Sequence, residues 1–125
     1  MTMNDDETRH VLRRMVEAFR TGDTSAVNSF VSDEYLDHQG LRGVEIVGPE
    51  GFRQVVEAAR SDLEGLRVTI EDLIVEDDRA VARIRWVGTR PGDGGLVERE
   101  TIDIIRCLNG RAVEHWGGRT TPDRA

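Results

Sequence analysis

One acidic residue near the end of the chain lies in a stretch that predicts a buried β-strand. Between Glu100 and Leu108 the residues alternate, and one face of the strand carries Thr101, Asp103, Ile105 and Cys107. The opposite face is also partly apolar, so we expect the strand to be covered on both sides. A carboxylate in such a layer needs a partner, because burial otherwise raises its pKa. Asp103 is therefore the first candidate for a general acid or base.

Two environments would give Asp103 different roles. In apolar surroundings, desolvation would raise its pKa towards the range that suits removal of a proton next to a carbonyl. An ion pair with an arginine would instead lower its pKa and make it a structural or substrate-anchoring residue. The arginines that could form this pair are Arg83, Arg85 and Arg99. The sequence leaves both alternatives open.

A second group of candidates lies in the segment TyrLeuAspHis at 35–38. His38 could shuttle a proton or bind a substrate oxygen, because its unperturbed pKa is about 6.5, or it could be a hydrogen-bonded residue at the edge of the core. Tyr35 could donate a hydrogen bond to a carbonyl or pack in the core. Asp37 alternates away from His38, and we expect it to be a solvated turn residue.

A further histidine lies in the last predicted strand. His115 and Glu114 are neighbours and therefore point to opposite faces, so only one of them can face an internal pocket. His115 would then either help to shape that pocket or be a structural side chain.

Apolar residues at helical spacing predict three helices. The first covers Asp5–Thr21 and ends before Gly22, which is typical of a glycine that follows a helix. Asp23 would cap a second, short helix. The third begins at Gly48-Pro49, since proline is favoured at the first helical position, and its apolar face comprises Phe52, Val55, Val56, Ala59 and Leu63.

The remaining segments predict strands. Ser32–His38 is expected to be a short extended piece, and the glycine-rich segment 39–47 a loop that could form part of a pocket rim. Beyond Gly65 the apolar period changes to two, and it slips before Leu73, which indicates a bulge. Two further strands follow, Arg79–Thr89 and Glu100–Leu108, and a hairpin turn at Asn109-Gly110 leads into the last one. The order predicts one α+β domain over 1–125, with 119–125 a flexible tail.

A strongly bent antiparallel sheet that closes on its helices would form a cone with an internal pocket, an α+β barrel. Trp86 and Trp116 share a face with Ile84 and Glu114, which is expected to be the outer surface of the sheet. Because aromatic residues are enriched at interfaces, we expect these two tryptophans to contribute to a homodimer contact.

Composition excludes several classes of partner. The net charge of −7 disfavours binding to nucleic acid or to anionic membranes, and no apolar run approaches the roughly 18 residues of a membrane span. A single cysteine, Cys107, fits a reducing cytoplasm and is expected to lie in the core. The three histidines lack metal-ligand spacing and no glycine-rich phosphate loop is present, so we expect neither a metal nor a cofactor.

The order of elements and several motifs resemble the nuclear transport factor 2-like superfamily, and within it the SnoaL-like polyketide cyclases. The motifs are TyrLeuAspHis at 35–38, GlyProGluGlyPhe at 48–52, LeuArgValThrIleGluAspLeuIleVal at 66–75, AlaArgIleArgTrpValGlyThr at 82–89, IleAspIleIleArg at 102–106 and AsnGlyArgAlaValGluHisTrp at 109–116. The resemblance implies the cone-shaped fold with a pocket, and it places His38 where many relatives carry a pocket histidine.

The chain departs from the resemblance at catalytic positions. The pocket aspartate of the cyclases would fall on Gly117, and a histidine that assists some of them would fall on Asp103. Relative to limonene epoxide hydrolases, Arg83 matches the arginine of an Asp-Arg-Asp triad, whereas Arg85 and Gly117 replace its aspartates. That mechanism is therefore disfavoured. The same analogy implies that Arg83 and Arg85 face the cavity.

The sequence thus predicts a cofactor-independent cyclase or isomerase that acts on a hydrophobic, carbonyl-bearing, polyketide-like molecule. Asp103 would carry the proton, and His38 or Tyr35 would stabilise the enolate oxygen. Arg83, Arg85 and Arg99 would orient polar substituents, and the walls would include Phe19, Phe52 and Ile105. The alternatives are a non-catalytic ligand-binding or dimeric interaction module of the same fold and, third, an epoxide-opening hydrolase.

Overall fold

A computed structural model describes residues 3–125, in which two α-helices pack on a six-stranded curved sheet. The helices are α1 (Asp5–Thr21) and α2 (Gly48–Asp62), with a 3₁₀ turn at Val27–Ser29. The strands are β1 (Val31–Leu41), β2 (Val44–Val47), β3 (Glu64–Glu76), β4 (Arg79–Thr89), β5 (Leu96–Leu108) and β6 (Arg111–Arg119). This α+β architecture confirms the predicted fold class.

The sheet has the strand order β2-β1-β6-β5-β4-β3. All neighbouring strands are antiparallel except β1 and β6. These two strands run parallel and pair residues that are about eighty positions apart in the chain. The helices and the inner face of the sheet share one apolar core, which includes Val11, Leu12, Met15, Val56, Ala80 and Ala82. Burial of these side chains supplies the main favourable free energy of folding.

Local signals at the helix ends explain why the helices form where they were predicted. Asn4 accepts a hydrogen bond from the backbone N–H of Glu7, whose side chain accepts one from the backbone N–H of Asn4 in return, which completes a capping box. Gly22 adopts φ 77° and donates to the carbonyl of Ala18, which closes α1. Pro49 lies in the first turn of α2. These ends confirm both helix predictions.

The strand predictions are confirmed in most respects. β4 covers the predicted range Arg79–Thr89, and Asn109-Gly110 forms the turn between β5 and β6. The predicted bulge in β3 is present, since the register with β4 shifts between Ile70 and Asp72.

Two local predictions in the first half of the chain were wrong. Segment 39–47 is not a loop: β1 continues to Leu41, and the chain turns at Arg42-Gly43 into β2. Arg42 and Gly43 adopt φ 52° and 78°, the left-handed conformations of a two-residue hairpin turn. The sequence did not predict this turn, because its first position carries an arginine in place of the usual asparagine, aspartate or glycine. Asp23 caps no α-helix; its carboxylate accepts from the backbone N–H of Ser25 in a local turn.

The outer face of the sheet carries one uninterrupted apolar row. Ile74, Val81, Ile104 and Trp116 are directly paired across β3, β4, β5 and β6. Trp86 is not part of this face, which corrects its predicted position: it packs edge-to-face on Phe19 inside the cone, because the even-numbered residues of β4 point inwards. The predicted homodimer contact therefore stays a prediction for Trp116 and its row alone.

The segment after β6 lies along the edge of β5. In the segment predicted to be a flexible tail, Arg124 exchanges two backbone hydrogen bonds of 2.6 and 2.8 Å with Glu98. Within residues 3–125, neither helix has the length and apolar character that a bilayer crossing requires.

The apolar row makes a prediction about assembly. The purified chain should behave as a dimer with twice the 14.0 kDa chain mass, and Ile104→Arg should shift it to the monomer, because a charge would then be buried at the centre of the contact. Val44→Arg is the matched control, since Val44 is exposed on β2 outside the row. Light scattering at micromolar concentration measures the mass, and a monomeric wild-type chain would contradict the prediction.

Candidate active site

A cavity of about 470 Å³ lies between the inner face of the sheet and the two helices. Its walls are mainly apolar and aromatic, as is usual for sites that bind small organic molecules. They include Leu12, Met15, Phe19, Phe52, Val55, Ile84, Trp86 and Ile105. A few polar side chains converge on one side of this cavity: Tyr35, Asp37, Gln39, Thr101, Asp103 and His115.

Three adjacent strands bring the central polar groups together. Asp37 on β1 is the register partner of His115 on β6, through the parallel pairing of these strands. On the other side of β6, Ile105 is the partner of His115 and Asp103 is the partner of Gly117. Because alternate residues share a face, Asp103 and His115 both point inwards and lie diagonally across the strand pair.

These residues form a carboxylate–imidazole–carboxylate cluster. The Nδ1 of His115 lies 2.7 Å from Oδ1 of Asp37, and its Nε2 lies 2.8 Å from Oδ1 of Asp103. The side chains of Asp37, His115 and Asp103 are only 4%, 12% and 13% exposed. Hydrogen bonds between buried charged groups are strong, so the cluster is rigidly oriented.

The two carboxylates keep His115 positively charged. Burial by itself lowers the pKa of His115, but the hydrogen bonds to Asp103 and Asp37 and the charges of both carboxylates outweigh it and raise that pKa to about 9. At neutral pH both ring nitrogens therefore carry protons and donate. For Asp37, burial by itself raises the pKa. The overall pKa is nevertheless lowered, because the carboxylate accepts a hydrogen bond from the charged His115 and further ones from the backbone N–H groups of Gly40 and Gln39.

A second chain of hydrogen bonds orients Asp103 from the other side. The Thr101 hydroxyl donates to Oδ2 of Asp103 over 2.7 Å, and the indole N–H of Trp86 donates to the same hydroxyl oxygen over 2.9 Å. An indole nitrogen can only donate, so the Thr101 proton is directed to Asp103. Each carboxylate oxygen of Asp103 thus accepts one hydrogen bond from the protein and keeps a lone pair that can point into the cavity.

Gly117 makes room for this arrangement. A Cβ atom at this position would lie 2.5 Å from Oδ1 of Asp103 and 3.0 Å from both Oε1 of Gln39 and Nε2 of His115. The side chain that the resemblance expects at Gly117 would therefore overlap the space that the Asp103 carboxylate occupies. The absence of an acid at residue 117 on β6 and the presence of Asp103 on β5 are geometrically linked.

Tyr35 completes the polar side of the cavity. It is 1% exposed and packs edge-to-face against Phe52. Burial raises the pKa of its phenol well above 10, and the charges of Asp37 and Asp103 add to this. The hydroxyl therefore keeps its proton at any pH at which the protein is used and can act only as a neutral donor or acceptor.

The structure corrects the placement of His38. It lies on the outer face, where its ring nitrogens contact carboxylate oxygens of Glu45 and Glu114, each at 2.7 Å, and it stacks on Trp116. Alternation along β1 assigns the inner position to Asp37 instead, which is 3% exposed and was wrongly expected to be a solvated turn residue.

Arg83 and Arg85 also lie on the outer face, against the prediction. Arg83 pairs with Asp72 and Glu100, and Arg85 pairs with Glu98. They share the odd-numbered face of β4, opposite the cavity. Neither therefore forms the predicted ion pair with Asp103, whose charged partner is a histidine.

The other predicted residues lie at the cavity. Phe52 forms part of its wall, and Arg99 lies on the inner face of β5 further along the strand, where it binds Asp62 and Asp123. Among residues 3–125 no group of three or more potential ligand side chains is arranged to hold a metal ion.

Sequence reasoning missed three site residues, Asp37, Thr101 and Trp86. The signal for Trp86 was present, since the even-numbered residues from Ala80 to Trp86 are all uncharged whereas the odd-numbered ones include two arginines. Asp37 had no such local signal, because its position depends on the pairing of β1 with β6.

Together these features define a class of protein, an α+β barrel whose internal cavity carries buried acid/base groups. The model of the SnoaL-like polyketide cyclase family matches residues 9–119. The chain belongs to this family, within the nuclear transport factor 2-like superfamily, which confirms the resemblance drawn from the sequence.

Relatives with names and solved structures are similar over most of the chain. The aklanonic acid methyl ester cyclase DauD of Streptomyces sp. (strain C5) is 31% identical over 123 residues, which cover 90% of this chain and 74% of DauD. The aklanonic acid methyl ester cyclase DnrD of Streptomyces peucetius is also 31% identical, over 90% of this chain and 82% of DnrD. The structure of TsrD from Streptomyces laurentii is 25% identical with a TM-score of 0.81, over 94% of this chain and 91% of TsrD.

The raised pKa of His115 predicts how stability depends on pH. His115 binds its proton more tightly in the folded state than in the unfolded chain. The contribution of this proton to the free energy of unfolding is therefore complete below pH 6.5 and is lost as the pH rises through about 9. A shift of this size corresponds to about 3 kcal/mol. Urea unfolding from pH 6 to pH 10 should show this decline for the wild type and not for His115→Gln. A flat wild-type profile over that range would contradict a charged His115.

The close contacts around Gly117 predict that alanine substitutions at the neighbouring residues Gly117 and Gly118 affect stability differently. Gly117→Ala should destabilise the protein by roughly 1–3 kcal/mol, because the added methyl group displaces the Asp103 carboxylate from His115. Gly118→Ala is the matched control, since a Cβ there meets nothing within 4 Å. Thermal unfolding compares the two variants, and equal melting temperatures would show that Asp103 does not need the space.

Proposed function

We propose that this protein is a cofactor-independent cyclase or isomerase that acts on a hydrophobic, carbonyl-bearing, polyketide-like molecule by general acid/base proton transfer. The observation that carries the proposal is the buried cluster of Asp37, His115 and Asp103 on the wall of an apolar cavity. Such a site combines a proton acceptor with walls that exclude water, which is what removal of a proton next to a carbonyl requires.

Asp103 is the proton carrier in this proposal. One of its oxygens would accept the proton from the carbon next to a substrate carbonyl, and the electron pair of the broken C–H bond would move towards that carbonyl oxygen. The resulting enolate carbon would attack a second carbonyl of the same molecule, and the new alkoxide would take the proton back. Atoms and charge balance in these steps without an oxidant or reductant.

Tyr35 would stabilise the enolate oxygen. Its phenol stays protonated and lies on the same side of the cavity as Asp103, so it can donate to the oxygen on which negative charge develops. His38, the other residue predicted for this role, faces the opposite side of the sheet. Both N–H groups of His115 are already directed to carboxylates, so its main effect would be to hold and orient Asp103.

The walls of the cavity support an aromatic or polycyclic ligand. Phe19 forms edge-to-face contacts with both Phe52 and Trp86, and all three rings line the same cavity as Asp103. The relatives DauD and DnrD bear the name aklanonic acid methyl ester cyclase, which supports a polyketide-like substrate for this chain as well.

A non-catalytic ligand-binding module is the second candidate. Gly117 occupies the position at which the resemblance expects the acid, and both oxygens of Asp103 accept hydrogen bonds from the protein itself. A carrier would need only the cavity. An epoxide-opening hydrolase finds less support, because Arg83 points away from the cavity and Gly117 supplies no carboxylate.

Replacement of Asp103 distinguishes an enzyme from a carrier. Asp103→Asn should lower turnover of an aromatic poly-β-keto ester by about 10²–10⁴-fold, because the amide cannot accept the substrate proton, while ligand affinity should change little. Asp72→Asn on the outer face is the matched control and should keep full activity. Turnover is followed by liquid chromatography and affinity by calorimetry. Full activity of Asp103→Asn, or ligand binding by the wild type without turnover, would overturn the catalytic proposal.

A further inference from the structure

One cavity-lining arginine is held by an acidic residue from the end of the chain. Arg99 lies on the inner face of β5, two residues from Thr101 and four from Asp103, and its side chain is 14% exposed. Its Nε donates to Oδ1 of Asp123 over 2.9 Å and its Nη2 donates to Oδ2 over 2.8 Å. This is the two-pronged geometry in which arginine recognises a carboxylate.

A second arginine approaches the same carboxylate. Nη1 of Arg119, at the end of β6, lies 3.3 Å from Oδ2 of Asp123, and Arg119 also lines the cavity. Arg99 has one further contact, with Asp62 at 3.0 Å. The carboxylate of Asp123 is thus bound between two cationic groups at the edge of the space that a ligand would occupy.

The segment that carries Asp123 is held by few interactions. Residues 120–125 are all exposed. Besides the contacts of Asp123 with Arg99 and Arg119, the segment is attached by the two backbone hydrogen bonds between Glu98 and Arg124 and by contacts of Thr120 with Glu100. A segment with little buried apolar surface opens at low free-energy cost. The two hydrogen bonds from Arg99 are shorter than the one from Arg119, so the Arg99–Asp123 ion pair is the main side-chain attachment. The hydrogen bond from Arg99 and its charge also lower the pKa of Asp123.

From this geometry we infer that Arg99 and Arg119 form a carboxylate-binding subsite at the rim of the cavity, which Asp123 fills in the free protein and which a carboxylate of the ligand takes over when it binds. The inference rests on the proposed function, because it assumes that a small molecule occupies the cavity. It names the substrate class more closely: an apolar carbonyl compound that also carries a free acid.

The exchange is favoured because it replaces one carboxylate by another. Neither guanidinium loses a charged partner, so the large cost of leaving a partly buried charge unpaired does not arise. Asp123 and its segment return to water, where a carboxylate is well solvated. The ligand gains two or more charge-assisted hydrogen bonds in return for displacing an exposed segment.

The position of the subsite along β5 sets the length of the ligand. Arg99 and Asp103 are four residues apart on one strand, which separates their backbones by roughly 13 Å. The acid of the ligand should therefore lie at the opposite end of the molecule from the carbon that loses its proton. An elongated ring system with a ketone at one end and a carboxylate at the other meets this condition.

A matched pair of probes tests the subsite. The probes are a biphenyl with an acetyl group at one end and a carboxylic acid at the other, and the methyl ester of that acid. Asp123→Asn should bind the acid about tenfold more tightly than the wild type does, because the competing charge is gone, and should bind the ester with unchanged affinity. Asp93→Asn, an exposed aspartate in the β4–β5 link, is the control and should change neither affinity. Calorimetry at low ionic strength measures all affinities.

Further variants keep the test decisive. Arg119→Gln should weaken binding of the acid and not of the ester, and Arg99→Gln should abolish the preference for the acid; thermal unfolding confirms that each variant is folded. If Asp123→Asn improves both probes equally, the segment merely covers the cavity and the subsite is refuted. If the ester binds but Asp123→Asn binds the acid no more tightly than the wild type does, the subsite is refuted while the cavity proposal stands. If neither probe binds to any variant, the proposed ligand cavity fails together with the subsite.

Discussion

The site depends on one buried imidazolium held between two carboxylates. Without His115, Asp37 and Asp103 would be two like charges in a space that water hardly reaches, and one of them would have to take up a proton or leave the interior. With it, each carboxylate has a cationic donor below 3 Å, and the β1, β6 and β5 strands are connected through side chains as well as through the sheet. The same interaction that stabilises the interior of the cone therefore sets the chemistry on its wall.

The site also shows how the position of an acid can shift within a fold. A side chain at residue 117 and the Asp103 carboxylate compete for one volume, so only one of the two strands can supply the acid. In this chain β5 supplies it, and β6 supplies the histidine beside it. Thr101 on the same strand then donates to the second oxygen of Asp103, and Trp86 on the neighbouring strand β4 donates to Thr101. The pocket keeps an acid and an imidazole, although neither lies where the resemblance would place it.

Local signals in the sequence predicted the elements, and non-local pairing decided the site. The helix end at Gly22, the hairpin at Asn109-Gly110 and the alternation around Asp103 each depend on a short segment, and the sequence predicted all three. Asp37 was not, because it points to the cavity only when β1 pairs in parallel with a strand nearly eighty residues away. A shift of one residue exchanges the two faces of a strand. The analogy with the epoxide hydrolases placed Arg83 in the cavity, and the predicted inner and outer faces of β4 were therefore exchanged.

The protonation state of His115 tests the account most directly. Nitrogen NMR of the imidazole, recorded on the wild-type protein from pH 5 to pH 10, reports whether one or both ring nitrogens carry a proton. We predict an imidazolium with two N–H groups throughout the neutral range and a titration near pH 9. A neutral ring with a single proton at pH 7 would contradict it, because His115 could then not hold both carboxylates in the interior.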